Sequence, residues 1–260
     1  MYKEFETRAS YKYLKKIIGN LKESICMLGG WAVFFHVNKK FQEAQGRPYL
    51  GSRDIDLGFH IKENSSDKEL KNSTLNQTIS TLKEKLGFKP LSFRLFKEIH
   101  TETEEEVKRG EIVPTYFIFP MYIDLVVDHI PKNFNRIFGF NPIDEPLLKP
   151  IFENSNHTKV KEFNRNLLLP TPELLLAMKI NSLPNRYKEH KKVKDVCDIF
   201  SLLWYSNIKP ADVKKKISKY VLDKNILQCL VNISKEDMQK ASSQLGHTAD
   251  EVEGVIKVLS

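Results

Sequence analysis

Two aspartates one residue apart, Asp54 and Asp56, lie in the stretch GSRDIDLGF (51–59), which otherwise alternates like a buried β-strand. Aspartate is depleted from strands, so a pair of them needs a reason. Side chains alternate faces along a strand, which puts both carboxylates on one face with Cα atoms roughly 6.5–7 Å apart, while Ile55 and Leu57 turn to the core. Carboxylates at that spacing can converge on one or two Mg²⁺ or Mn²⁺ ions, hard cations that prefer oxygen ligands and commonly share phosphate with them. Such an ion polarises a phosphoryl group and activates an attacking hydroxyl. The plain alternative is that Asp54 pairs with Arg53 or another cation and Asp56 faces solvent.

A second feature precedes the acids. LGGWAVFFH (28–36) places Gly29 and Gly30 between a short apolar run and an apolar helix. Glycine lets backbone approach a ligand closely, and the N-terminus of a helix is a natural anion site. A tight turn explains the pair equally well when it is read alone. Read together, the two stretches describe a phosphate cradle beside a metal clamp.

The combination LGGWAVFFH…GSRDIDLGF resembles the nucleotidyltransferase superfamily that includes DNA polymerase beta. The matching residues are Leu28, Gly29, Gly30, Asp54, Ile55, Asp56 and Leu57. Ser52 stands where many relatives carry Ser or Thr, and Gly30 stands where several carry Ser, which removes one hydroxyl contact to phosphate. The spacer is longer than in minimal members and implies an extended loop at 39–49. The resemblance implies Mg²⁺ or Mn²⁺ on Asp54 and Asp56, and an NTP, ATP among them, held by Gly29, Gly30, Ser52 and Arg53. It also implies a third carboxylate from a neighbouring strand. MYIDLVVDHI (121–130) offers Asp124 and Asp128, which share a face. Asp124 has the apolar flanks the family shows; Asp128 can instead cap the strand end.

The segment PTPELLLAMKINSLPNRYKEHKKVKDVCDIFSLL (170–203) is similar to the helical motif of AbiEii-type toxins, the nucleotidyltransferase half of certain toxin–antitoxin systems. Leu175, Leu176, Ala177 and Lys179 are followed by a basic loop, then Lys194, Asp195, Asp198 and Ile199. On an otherwise apolar helix, Lys179 either snorkels to the surface or reaches a cleft towards triphosphate. Asp195 and Asp198 share a helix face. Their ordinary role would be to pair with Lys191, Lys192 or Lys194. The resemblance instead puts Lys179 and Asp195 in the site, and it implies an RNA acceptor such as a tRNA end, and a cognate antitoxin.

The elements that must position these residues follow from periodicity. Helices are expected over 7–22, 31–37 and 68–86, and strands over 25–28, 53–61, 88–99 and 115–130, the last interrupted by Pro120. Residues 39–49 read as loop, 101–111 as a mobile acidic loop and 131–165 as irregular. From Thr171 and Pro172 onward only helices are expected, with starts at Pro210 and Ser234 and a capping box at Thr248–Glu251. The fold class is therefore α/β (α+β): a nucleotidyltransferase-type small mixed sheet with flanking helices, plus a C-terminal helical bundle. The boundary falls near 165, giving a catalytic domain over 1–165 and a helical domain over 166–260.

Composition agrees with a soluble globular protein. The chain has 260 residues, 41% of them hydrophobic and 28% charged, with net charge +8. That balance favours phosphate-rich partners. Three scattered cysteines make neither a disulfide framework nor a zinc pattern. No signal region, membrane span, P-loop, dinucleotide fingerprint or Gly-x-Ser-x-Gly elbow is present, and a cytoplasmic protein without membrane contact is expected. The expected activity is transfer of an NMP from an NTP to a hydroxyl, with Asp54, Asp56 and Asp124 on the metal, Lys179 neutralising phosphate, and Asp124 or a metal-bound water as base. The alternatives are a small-molecule acceptor, as in antibiotic-modifying relatives, and a non-catalytic module that keeps the fold.

Overall fold

The computed structural model describes residues 3–21, 25–108, 110–162 and 165–260. The first helix, α1 (Glu4–Asn20), buries Ala9, Tyr13, Leu14, Ile17 and Ile18, an apolar stripe at helical spacing. Strand β1 (Cys26–Met27) leads directly into α2 (Gly29–Gln45). The expected loop at 39–49 is therefore mostly helix. Val33, Val37 and Phe41, all fully buried, continue the apolar stripe, and the polar residues around them are good helix formers.

Strand β2 (Ile55–Phe59) follows, then α3 (Asp67–Asn72), α4 (Thr74–Ser80) and a π-helical turn (Thr81–Lys85). The single helix expected over 68–86 is broken at Ser73, whose backbone is extended. The Ser73 hydroxyl donates to the Leu70 carbonyl at 2.7 Å and accepts from the Asn76 N–H at 3.2 Å, so one side chain ends a helix and starts the next. The hairpin of β3 (Lys89–Leu91) and β4 (Arg94–His100) comes next, and then the long β5 (Ile118–Val127).

Between β4 and β5 the acidic stretch is fastened down. Glu104 pairs with Arg8, Glu105 with Lys12 at 2.7 Å and Glu106 with Lys97 at 2.5 Å. Lys97 is buried, its ammonium 5.6 Å from the Tyr13 ring and 5.3 Å from that of Phe88. Burial, then Glu106 and Glu105, push the Tyr13 hydroxyl up to about 12.

The region expected to be irregular holds α5 (Phe134–Phe138), β6 (Ile143–Asp144), α6 (Lys149–Glu153), β7 (His157–Glu162) and the start of β8 (Arg165–Pro170). Helices α7 (Pro172–Ser182), α8 (Glu189–Tyr205), α9 (Val213–Ile217), α10 (Asp223–Asn232), α11 (Lys235–Leu245) and α12 (Ala249–Ile256) complete the chain. A 3-10 turn at Pro210–Asp212 opens α9, and capping boxes at Ser234 and Thr248 open α11 and α12, where the sequence places those starts.

Among the described residues eight strands form one mixed sheet in the order β3-β4-β5-β2-β1-β8-β7, with β6 beside β5. The β4–β5 and β1–β2 pairs are antiparallel, and β2–β5 and β1–β8 are parallel. Ile55, Leu57, Leu95, Ile99, Met121, Ile123 and Leu125 share the buried face.

The chain groups into two compact units that are not contiguous in sequence. One comprises Tyr2–Trp31 with Gly51–Leu169 and contains the sheet. The other comprises Ala32–Leu50 with Pro170–Ser260 and is helical. A single boundary near 165 does not describe this grouping, because the body of α2 goes with the C-terminal helices. In the helical unit Phe41 packs edge-on against Tyr49 and Tyr205, at 5.1 and 5.2 Å between ring centroids. Among the described residues no helix is long and apolar enough to cross a membrane. Cys26, Cys197 and Cys229 are buried and free.

Candidate functional site

The strand β2 begins where the apolar alternation of Ile55, Leu57 and Phe59 begins, with Asp54 just before it and Asp56 within it. Strand β5 lies parallel to β2, in a register that sets Asp56 opposite Asp124. Opposed residues on adjacent strands face the same side, and adjacent strands stand about 4.8 Å apart. The carboxylates of Asp56 and Asp124 are thus neighbours on the face opposite the buried one.

The glycine pair reaches the same point. Gly29 has φ +60°, and a Cβ built on it would lie 2.0 Å from Oδ2 of Asp56. Any side chain there would displace the carboxylate, so glycine is required by contact as well as by conformation. The Leu28 N–H donates to the Asp56 carbonyl at 3.0 Å and fixes the approach. The N-terminus of the 17-residue α2 therefore opens beside Asp56.

The loop before Asp54 is braced from below. Trp31 is buried, and its indole Nε1–H donates to Ser10 Oγ at 3.1 Å. A Cβ on Gly51 would come within 2.9 Å of the Trp31 ring, so Gly51 lets the loop lie on the indole. Ser52 and Asp54 are buried. Arg53 stands 3.4 Å from Glu6 and 3.9 Å from Asp54, with its guanidinium 5.1 Å from the Phe119 ring.

Arg94 gave no signal in the sequence. It is the register partner of Asp124 on β4; its Nη2–H donates to Oδ2 of that carboxylate at 2.9 Å, and its Nε stands 2.9 Å from Oδ1 as an ion pair without hydrogen-bond geometry. A hydrogen bond between two charged groups is stronger than one between neutral groups. The guanidinium also lies 4.5 Å from the Tyr122 ring.

Asp128 is occupied elsewhere. Its Oδ2 meets His60 Nδ1 at 2.5 Å and its Oδ1 accepts from the Ile61 N–H at 2.8 Å. It ties off the ends of β2 and β5 from just beyond β5, and of the two acids only Asp124 adjoins Asp56.

The donors at this face are carboxylate oxygens, the chemistry that Mg²⁺ or Mn²⁺ takes, and Asp56 and Asp124 fit such an ion by type and adjacency. Among the described residues no three His, Cys, Asp or Glu side chains form a metal-holding group. The Arg94 clamp on Asp124 is a direct competitor for that ligand.

Lys179, Asp195 and Asp198 are brought together in the helical unit. Lys179 is buried, with its ammonium 2.6 Å from Asp195 and 2.7 Å from Asp198. Asp195 also accepts from Arg186 Nε at 2.6 Å, and Asp198 from Lys194 and, at 2.7 Å, from the Tyr49 hydroxyl. Lys179 thus does not snorkel to the surface: it is paired inside its own unit. Burial works against its charge, but Asp195 and Asp198 outweigh that and hold its pKa above the usual lysine value. Burial likewise opposes ionisation of Asp195, and Lys179 and Arg186 overcome it, leaving that carboxyl below the usual range. Tyr49 is pushed well up by burial and then by Asp198.

No family model and no curated protein matches the chain. A solved structure described as an antigenic nucleotidyltransferase-like protein from Paracoccidioides brasiliensis is similar to it, at 17% identity over 94% of this chain and 93% of that one, with a TM-score of 0.39.

Proposed function

We propose that this chain is a nucleotidyltransferase, moving an NMP from an NTP to a hydroxyl. The observation that carries the reading is the meeting of Gly29, Asp56 and Asp124: a helix N-terminus that opens beside two neighbouring carboxylates. That arrangement supports binding a polyanion and a hard cation side by side. Mg²⁺ or Mn²⁺ would be held by Asp56 and Asp124 with Asp54 beside them, and would neutralise charge on the transferred phosphoryl group. The backbone at Gly29 and Gly30 receives phosphate oxygens, with Ser52 and Arg53 on the adjoining loop. Asp124, once parted from Arg94, accepts the proton of the attacking hydroxyl. Lys179 and Asp195 serve by holding the helical unit rigid and do not touch phosphate.

The similarity of residues 170–203 to AbiEii-type toxins extends the proposal to an RNA acceptor, a tRNA end among them, and to a cognate antitoxin as protein partner. The net charge of +8 supports a phosphate-rich acceptor over a neutral small molecule.

The test is incubation of the protein with each radiolabelled NTP, Mg²⁺ and total RNA, beside Asp54→Ala/Asp56→Ala. Label on an RNA band that is lost in the variant supports the reading. Free label with every NTP in a folded sample overturns the RNA acceptor, and a repeat with small hydroxyl compounds then decides between transferase and non-catalytic module.

A further inference from the structure

The open face of the sheet next to Asp124 carries a row of rings. On β4 and β5 the register pairs running away from the acids are Arg94 with Asp124, Phe96 with Tyr122, Glu98 with Pro120 and His100 with Ile118. Side chains two apart share a face, so all eight lie on the side that bears Asp56 and Asp124. Phe96 and Tyr122 are half-buried, standing side by side one pleat from Asp124. At the far end His100 stacks on Phe117, with ring planes 16° apart and centroids at 5.4 Å, and Tyr116 adjoins Phe117 at 4.5 Å while 75% exposed. Two cations border the rings, each also paired with an acid: Arg94 lies 4.5 Å from Tyr122 and holds Asp124, and Lys89 lies 6.0 Å from Phe96 and 3.6 Å from Glu98.

A half-open ring forgoes part of the roughly 1.5–3 kcal/mol that its full burial would contribute. The strip spans six residue-to-residue steps, from Asp124 to Ile118, which is about 20 Å at about 3.4 Å per step. That exceeds one nucleotide and suits about three extended ones. Proteins that hold single strands use this combination of aromatic platforms for bases and cations for the backbone, and Arg guanidinium planes stack bases as rings do. It also starts at the carboxylates, where a strand end would have to arrive.

We propose that this strip binds the 3′ end of single-stranded RNA, with Phe96 and the Arg94–Tyr122 stack carrying the terminal bases and the Phe117–His100 pair an upstream base. The proposal rests on the nucleotidyltransferase reading and assigns its acceptor.

Binding is measured apart from chemistry, by fluorescence anisotropy of a 5′-labelled single-stranded RNA oligomer, at one fixed salt concentration with EDTA and no NTP. Phe96→Leu and Tyr122→Leu keep apolar bulk and remove the rings, and circular dichroism and thermal unfolding check that they fold. Each is expected to weaken RNA binding about tenfold. Wild-type affinity in folded Phe96→Leu/Tyr122→Leu overturns the strip. So does equal affinity for blunt duplex RNA, or saturable binding of mononucleotide without oligomer. Ring-dependent RNA binding together with no label transfer from any NTP keeps the strip and discards the transferase.

Discussion

A methyl group placed on Gly29 would lie 2.0 Å from a carboxylate oxygen of Asp56. The residue that opens α2 and the residue in the middle of β2 are thus shaped to one another. Gly29→Ala is expected to abolish label transfer. The left-handed backbone at φ +60° adds about 1–2 kcal/mol of instability for alanine. Transfer activity and thermal unfolding of the one variant check both effects. Full activity with a shifted Asp56 would remove that acid from the site.

The Arg94 guanidinium neutralises charge on Asp124 that a cation would otherwise meet. Arg94→Gln is expected to tighten Mn²⁺ binding several-fold, read as loss of the free-ion electron paramagnetic resonance signal. Equal Mn²⁺ affinity in wild type and variant would show that Asp124 is not a ligand.

Asp124 on β5 and Asp128 just past its end are expected to behave differently on amide substitution. Asp124→Asn should lose activity at least about 100-fold, as removal of a group acting on transition-state charge does. Asp128→Asn should lower stability by about 1–3 kcal/mol, since His60 and the Ile61 N–H lose a charged acceptor, and should stay within a few-fold of wild-type activity. The reverse pattern would move the third carboxylate to Asp128.

The buried charge cluster of the helical unit sets a pH window. Asp195 ionises below its ordinary range, so its contribution is present above the unfolded carboxylate value of about 3.9 and is lost as pH falls through the folded value. Lys179 is held above its ordinary value, so its contribution is present below about 10.4 and is lost as pH rises through the folded value. Thermal unfolding across pH should show a plateau through neutrality with loss at both ends. Lys179→Met, which strips a partner from two buried acids, should lower stability at pH 7 by about 3–5 kcal/mol. Unchanged unfolding with weakened NTP binding would give Lys179 back to phosphate.

The acids, the glycines and three helix starts were legible because each is written in a few adjacent residues. An Asp-apolar-Asp alternation, a Gly-Gly before an apolar run and a Thr with Glu three places on are local signals. Arg94 was not legible: nothing in RLFKEIH distinguishes it, and its role arises from register with a residue 30 positions away. Trp31 was read as helix and not as the floor beneath Gly51, because that contact forms only when α1, α2 and the 51–54 loop have packed. The overlooked length of α2 did carry a trace, since Val33, Val37 and Phe41 repeat every four residues. The break at Ser73 is a single hydroxyl competing for two helix ends, and periodicity is blind to that.

Pro120 gives β5 a property separate from catalysis. β2 pairs with β5 from Ile123 onward, so residues 118–122 run beyond it. A bare strand flank invites a second chain to add on and begin a stack. Proline has no N–H to donate, and at position 120 it breaks the ladder such an intruder would need. The part of β5 that carries Tyr122 beyond the reach of β2 is thus kept from seeding a fibril.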